Sequence, residues 1–194
     1  MYWVELTDFP YPIIRAQFPS TVHPHGGAWA AWLGGVYGTA TDDAVTAIAQ
    51  RVTVSSSKPF LSYWHWIASA DICGYDVAGV GVDYGAPDPD VVDAFYLCSA
   101  ANTSGWRHRT IDMHKYIGQT VILIFLAGTD SSFNSNWFLD DVSFQVRATT
   151  TDELPAPNDP AIAQPHDDRN SAPASMPSPA LANLVRRIQE AAHR

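Results

Sequence analysis

Residues 116–144 read YIGQTVILIFLAGTDSSFNSNWFLDDVSF and predict two β-strands joined by one polar loop. The apolar run Val121–Leu126 is the first strand, and the Gly/Asp/Ser/Asn-rich segment Gly128–Asn136 is the loop. A second apolar run follows and ends beside two carboxylates. We predict that this stretch is the closing hairpin of a β-sandwich.

The two carboxylates, Asp140 and Asp141, fall on opposite faces of a regular strand. If period-two alternation turns Phe138, Val142 and Phe144 inward, Asp140 points inward with them. A carboxylate among core residues needs either a hydrogen-bonding partner or a cation. Both alternatives are open for Asp140 at this point.

Seven further segments show strand-like patterns, with turn signals at a spacing of about 8–15 residues. No convincing helical pattern appears before residue 148. Roughly eight short strands in this order predict an all-β, antiparallel sandwich. The segments are Tyr2–Leu6, His25–Leu33, Val45–Val54, Phe60–Ser69, Val77–Tyr84, Val91–Leu97 and Trp106–Asp112.

The composition changes at Arg147, so we place the sandwich at residues 1–147. Residues 148–179 are rich in Pro, Ala, Ser, Thr and Asp, which predicts a disordered linker. Residues 180–194 predict a short amphipathic helix, which is marginal in water on its own. Docking on this chain, docking on a partner and no stable helix are all open. The helical stripe consists of Leu181, Leu184, Val185 and Ile188.

The composition also restricts the class of function. The 194 residues are 46% hydrophobic and 12% aromatic, which suffices for a packed core. The net charge of −9, from 11 Lys+Arg against 20 Asp+Glu, disfavours nucleic-acid binding. No apolar run approaches the roughly 20 residues of a membrane span. No signal-like segment follows Met1, so either the chain is cytoplasmic or a leader lies outside this sequence.

The two cysteines, Cys73 and Cys98, flank the hairpin predicted over Val77–Leu97. Antiparallel pairing brings Cys98 opposite about Val77, a few residues from Cys73. We therefore predict a disulfide, with two unpaired thiols as the alternative. Such a bridge stabilises by about 3 kcal/mol in the chain-entropy model and indicates an oxidising compartment.

Tryptophans are the candidate ligand-binding residues. Trp64 and Trp66 share one face of a strand, while Tyr63 and His65 share the other. Flat rings beside Asp and Asn side chains commonly hold sugars, although core packing is the alternative for each ring. The candidates are Trp64, Trp66, Trp106 and Trp137.

Catalytic motifs are absent from the sequence. It contains no Gly-x-Ser-x-Gly, His-Glu-x-x-His or P-loop pattern. His23 and His25 flank Pro24, which forms an extended bend and not the helical i, i+4 face of a zinc site. We predict that the protein is not an enzyme.

Several motifs in register resemble one family: the jelly-roll modules attached to secreted bacterial metallopeptidases of the immune-inhibitor-A type. These modules are related to MAM-like and carbohydrate-binding jelly rolls. The resemblance covers about Trp3–Phe144. The motifs are GAWAAWLGG (27–35), QRVTV (50–54), CGYD (73–76), YLC (96–98), NTSGW (102–106), YIGQTVILIF (116–125) and NSNWFLDDVSF (134–144).

The resemblance implies an extracellular, non-catalytic jelly roll for adhesion or substrate targeting, often with a structural calcium ion. The candidate calcium ligands are Asp140 and Asp141, with backbone carbonyls near Gly26–Gly27 or in the Gly34–Asp43 loop, since calcium takes six to eight oxygen ligands. The alternative is that Asp140 accepts hydrogen bonds at a strand end.

One departure from the family concerns the first strand. Related modules usually carry a Gly-Phe-Glu-like motif there, and the present sequence begins after it. We expect an open sheet edge, filled by a neighbouring subunit, an upstream segment or the Pro-rich tail. Two hypotheses follow: a carbohydrate- or surface-binding module, and a structural subunit that forms oligomers or filaments through the edge and the tail.

Overall fold

The computed structural model describes residues 2–7, 9–18, 21–35 and 44–149, and these form a sandwich of two antiparallel five-stranded sheets. The predicted all-β sandwich is confirmed. Most of the linker predicted for residues 148–179 and all of the helix predicted for residues 180–194 lie outside the described residues.

Each sheet mixes strands from both halves of the chain, as in a jelly roll. The first sheet has the order β1 (Val4–Leu6), β4 (Ala44–Thr53), β9 (Thr120–Thr129), β6 (Val77–Asp83) and β7 (Asp90–Tyr96). The second has the order β2 (Ile14–Arg15), β3 (Ala30–Gly34), β10 (Ser135–Gln145), β5 (Phe60–Ser69) and β8 (Arg107–Asp112). Two single 3₁₀ turns, Ser99–Ala101 and His114–Tyr116, complete the described elements. None of these residues forms a helix long and apolar enough to cross a membrane.

The hairpin predicted over residues 116–144 is wrong. β9 pairs with β4 and β6 in the first sheet, whereas β10 pairs with β3 and β5 in the second. The segment between them therefore crosses from one sheet to the other. Both runs are apolar on both faces because their inward residues pack in the core and their outward residues pack in separate clusters on the outer faces of the sheets.

The inward direction predicted for Asp140 is also wrong. Trp137 and Leu139 belong to the core between the sheets, while Phe138 belongs to a separate cluster on the outer face. Asp140 therefore shares the outer face with Phe138. A β-bulge lies between Asp140 and Ser143, with Asp141 at φ +50°. It shifts the alternation by one residue, so that Val142 and Phe144 pack against the core.

The strand predicted over His25–Leu33 is shorter in the structure, because β3 covers only Ala30–Gly34. The preceding residues form a loop. The hairpin predicted over Val77–Leu97 is confirmed as the β6–β7 pair, in which Val77 faces Tyr96. The predicted disulfide is confirmed between Cys73 and Cys98.

The core occupies the space between the two sheets. Tyr63 of β5, Phe95 of β7 and Phe125 of β9 are each at most 1% exposed and surround the fully buried Trp137 of β10. A second apolar cluster lies on the outer face of the first sheet, since its β9 members alternate with the inward ones. That cluster consists of Leu6, Ala47, Ala49, Ile122, Ile124 and Leu126.

Candidate functional site

The outer face of the second sheet carries an aromatic surface. Trp64 and Trp66 project from β5, and Trp106 lies just before β8 and meets Trp66 edge-on with ring centroids 6.1 Å apart. Residues 21–29 of the loop before β3 lie against this surface. Val22 is buried there with Trp32 and Phe138, and the Trp106 Nε1 donates a hydrogen bond to the His23 carbonyl at 2.8 Å.

His25 links the loop to the sheet. Its ring stacks on Trp64, with centroids 4.0 Å apart and an interplanar angle of 15°, and its edge approaches Trp106. His25 Nδ1 lies 2.7 Å from Asp141 Oδ2. One ring face of Trp64 is therefore covered by a residue of the chain itself.

The carboxylates of Asp140 and Asp141 contact N–H groups of the same loop. Asp140 Oδ2 accepts a hydrogen bond from the Gly26 amide at 3.0 Å, and Asp140 Oδ1 accepts one from the Asp141 amide at 2.7 Å. The loop approaches so closely that a Cβ on Gly26 would lie 2.9 Å from Asp141 Oδ2, so a larger residue there would displace the Asp141 carboxylate.

These contacts correspond to the hydrogen-bonding alternative for Asp140. Calcium takes six to eight oxygen ligands, whereas the groups that face Asp140 and Asp141 are two backbone amides and an imidazole. The calcium role predicted for Asp140 and Asp141 stays a prediction, and the arrangement does not favour it.

Trp29 is the most exposed tryptophan, at 60%. It borders a cleft of about 150 Å³ at the edge of the sandwich, together with Asp140 and Asp141. The remaining lining is apolar and comes from both sheets: Trp3, Ile14, Ala30, Ala31, Ile48, Leu139 and Val142. The two carboxylates therefore connect this cleft to the His25–Trp64 stack, since Asp141 contacts His25 and Asp140 pairs with Trp64. We call Trp29, His25, Trp64, Asp140 and Asp141 the loop site.

Three of the four predicted ligand-binding tryptophans share a face, and one does not. Trp64, Trp66 and Trp106 are half-buried on the outer face of the second sheet. The ligand-binding role predicted for Trp137 is wrong, since this residue is 0% exposed in the core and its Nε1 donates to His65 Nδ1 at 3.1 Å. Alternation along β10 places Trp137 beside Leu139 on the inward face, so it contributes to no surface.

Sequence reasoning missed Trp29 and His25 as site residues. The spacing of Trp29 and Leu33 predicts an ordinary strand position for Trp29. The His23–Pro24–His25 pattern suggests a zinc site at most, and it gives no sign of a contact with the sheet. The available signal was the glycine pair at 26 and 27, which favours a loop just before the strand. It did not reveal that the loop folds back onto the sheet.

Comparisons with known proteins found no matching family model and no matching curated protein. Solved structures with a similar shape include TmCBM61 in complex with β-1,4-galactotriose, with 16% identity and a TM-score of 0.46, covering 73% of this chain and 86% of that one. The K2 cleaved adhesin domain of Lys-gingipain has 21% identity and a TM-score of 0.46, covering 74% and 82%. The mannan-recognising carbohydrate-binding module TmCBM27 has 14% identity and a TM-score of 0.36, covering 74% and 89%. These values are too low to assign a family or a ligand to this chain.

Proposed function

We propose that this domain is a non-catalytic carbohydrate-binding module and that it binds a sugar chain at the loop site. The observation that carries the proposal is Trp29, a 60% exposed ring that borders one cleft with two carboxylates. The apolar face of a pyranose stacks on such a ring while its hydroxyls pair with carboxylate oxygens and imidazole nitrogens.

The shape of the site suits an extended chain better than an enclosed small molecule. The cleft of about 150 Å³ is smaller than the roughly 300–1,000 Å³ of typical small-molecule pockets. Asp140, which lines the cleft, pairs with Trp64 of the outer aromatic surface. One sugar ring would lie on Trp29, and neighbouring rings would continue along the exposed edges of Trp66 and Trp106.

The proposed setting is extracellular or at a cell surface, where the module would serve adhesion or substrate targeting. The Cys73–Cys98 disulfide supports an oxidising compartment. The acidic net charge of −9 suits a neutral or basic glycan better than a strongly acidic one.

Glycan-array binding of the full chain, followed by calorimetry on the best glycan, tests the proposal. We expect Trp29→Ala to weaken binding at least tenfold and to change stability by less than about 0.5 kcal/mol, since the side chain is largely exposed. Phe133→Ala is the matched control, because Phe133 is 56% exposed just before the start of β10, whereas the loop site lies beside its second half. Unchanged affinity in Trp29→Ala, or no glycan bound by the parent, would reject the proposal.

A second candidate is an assembly subunit. The edge strands β1 and β2 have only three and two residues, and β1 pairs with β4 only over Ala47–Ala49, although β4 continues to Thr53. A strand of another chain would extend such a ladder. Light scattering of the full chain over a concentration series distinguishes this candidate, since assembly predicts a mass above 21.2 kDa that falls to the monomer value on substitution of Arg51→Pro.

A further inference from the structure

Three carboxylates converge at one end of the sandwich, away from the loop site. Asp71 lies two residues after β5, Asp76 directly precedes β6, and Asp130 directly follows β9. One oxygen from each lies within 4.8 Å of the other two. Two separate connections of the chain, β5 to β6 and β9 to β10, therefore bring three negative charges together.

Each carboxylate has one oxygen in use as a hydrogen-bond acceptor. Asp71 Oδ1 accepts from the Ile72 amide at 2.8 Å, and Asp76 Oδ1 accepts from the Asp130 amide at 2.7 Å. Asp130 Oδ1 accepts from the Ser132 amide at 2.6 Å. These bonds fix the directions of the carboxylates and leave their second oxygens for another partner.

The second oxygens of Asp71 and Asp76 are buried without a partner. Asp71 is 1% exposed and Asp76 is 0% exposed, and neither Oδ2 has a hydrogen-bond donor. Among the residues that the structure describes, no Lys, Arg or His side chain pairs with any of the three carboxylates. Burial raises the pKa of Asp71 and raises that of Asp76 to about 6, although a hydrogen bond from the Ser135 hydroxyl to the Asp76 carboxyl opposes part of the shift. Buried carboxylates without a cationic partner are costly.

We propose that Asp71, Asp76 and Asp130 bind a calcium ion. The donors are all carboxylate oxygens, which suit a hard cation, and water would complete the six to eight ligands that calcium takes. A zinc site is disfavoured, because zinc prefers Cys and His ligands and the nearby Cys73 is committed to the disulfide.

The ion would join the two connections that cross between the sheets. Residues 70–76 lead from β5 in the second sheet to β6 in the first, and residues 130–134 lead from β9 in the first to β10 in the second. The Cys73–Cys98 disulfide ties the first connection to Cys98, two residues after β7. The disulfide does not include the connection between β9 and β10, and the calcium ion would join that connection to the first one. The site is independent of the proposed glycan binding, since none of its residues belongs to the loop site.

Thermal melting of the full chain in EDTA and in calcium tests the proposal, with calorimetry for affinity. We expect the melting temperature to rise by about 10 °C at a free calcium concentration of about 100 times the dissociation constant. In Asp76→Asn and Asp71→Asn, which keep the shape of the side chain, we expect at least a tenfold loss of calcium affinity. In EDTA these variants should melt at or above the parent temperature, because an unpaired buried charge is removed.

Asp140→Asn is the matched control and should keep the full calcium response. The proposal is overturned if the parent melts equally in EDTA and calcium, or if Asp71→Asn and Asp76→Asn both keep the response. It is also overturned if only Asp140→Asn loses the response, which would place the ion on β10. Glycan binding by Asp76→Asn in EDTA is a separate readout, so that failure of either proposal leaves the other testable.

Discussion

Tyr63 and His65 alternate with Trp64 and Trp66 along β5, so that one strand supplies both faces of the second sheet. The inward pair is 0% exposed and packs around Trp137, whereas the outward pair is half-buried beneath the loop that carries His25. Residues of the same kinds therefore build a core on one face and a candidate binding surface on the other. What separates the two faces is the layer that covers each: a complete sheet inside and one loop outside.

Polar groups differ between the two faces as well. On the inner face, Tyr63 Oη and Arg109 Nε each donate to Asp93 Oδ2 at 2.7 Å, and Arg109 Nη2 donates to Asp93 Oδ1. This network joins β7 of the first sheet to β5 and β8 of the second. On the outer face, the corresponding pair is the solvent-accessible His25–Asp141 contact. The inner contacts therefore stabilise the fold, and the outer ones are free to serve recognition.

The largest expected effect is that of truncating an inner ring. Trp137→Ala should lower the free energy of unfolding by about 4 kcal/mol, because it leaves a cavity among Tyr63, Phe95 and Phe125. The matched outer variant, Trp64→Ala, should cost only about 1–2 kcal/mol, since its ring is half-buried. Urea denaturation followed by circular dichroism measures both. Equal losses would show that the outer face is as tightly covered as the core.

Breaking the inner ion pair should have the next largest effect. The Asp93 and Arg109 side chains are 9% and 14% exposed, so Asp93→Ala removes the carboxylate that pairs with a largely buried guanidinium. We expect a loss of about 3 kcal/mol, since Tyr63 and Arg109 both lose the Asp93 carboxylate as acceptor, against less than about 1 kcal/mol for Asp141→Ala in the exposed pair on the outer face. The same denaturation experiment checks the difference. A larger loss in Asp141→Ala than in Asp93→Ala would reverse the comparison.

The pH dependence of stability should report on His65. Burial, reinforced by the charge of Arg109, lowers the pKa of His65 from 6.5 to about 3. Below pH 6.5 the unfolded chain binds a proton that the folded protein does not, so stability falls as the pH falls towards 3. Between pH 7 and pH 5 the expected loss from this residue is about 2 kcal/mol.

His65→Gln separates this effect from the other titrating groups, because glutamine keeps an acceptor for Trp137 Nε1 without titrating. Its unfolding free energy, measured at several pH values between 7 and 5, should decline less steeply than that of the parent. Parallel declines would show that His65 is protonated in the folded state.

The smallest expected effect concerns the loop on the outer face. Trp106→Phe removes the hydrogen bond from Nε1 to the His23 carbonyl and should cost about 1 kcal/mol. Amide hydrogen exchange should become faster in residues 21–29 and remain unchanged in β5 and β10. Unchanged exchange in the loop would mean that its other contacts, such as the His25–Trp64 stack and the Gly26–Asp140 hydrogen bond, hold it in place.

The local pattern was sufficient for much of the fold. Alternation placed Trp64 and Trp66 on one face and Tyr63 and His65 on the other, and the structure agrees. Turn residues located the β6–β7 hairpin, and the hairpin in turn located the Cys73–Cys98 bridge. These inferences hold because side-chain direction and hairpin pairing depend on residues close together in the chain.

Other features depended on contacts between distant parts of the chain. The bulge at Asp141 placed Val142 and Phe144 on the opposite face from Asp140, and β9 and β10 proved to be central strands of different sheets and not a hairpin. The sequence pattern predicts that Trp29 is a strand residue. In the structure it belongs to a loop, which contacts the sheet through His25 and Asp141. Sequence periodicity does not predict the bulge, the crossing or the loop contacts, because it contains no information on which strands are neighbours in the sheets.

Asp71, Asp76 and Asp130 show the same division. Each stands just outside an apolar run, Asp71 and Asp130 after one and Asp76 before one, so the sequence by itself determined that a strand ends or begins there. Only the tertiary structure decided that the three ends meet with two carboxylate oxygens buried and unpaired. The physical reason is that burial and charge proximity arise from the packing of two sheets, which joins residues more than 50 positions apart.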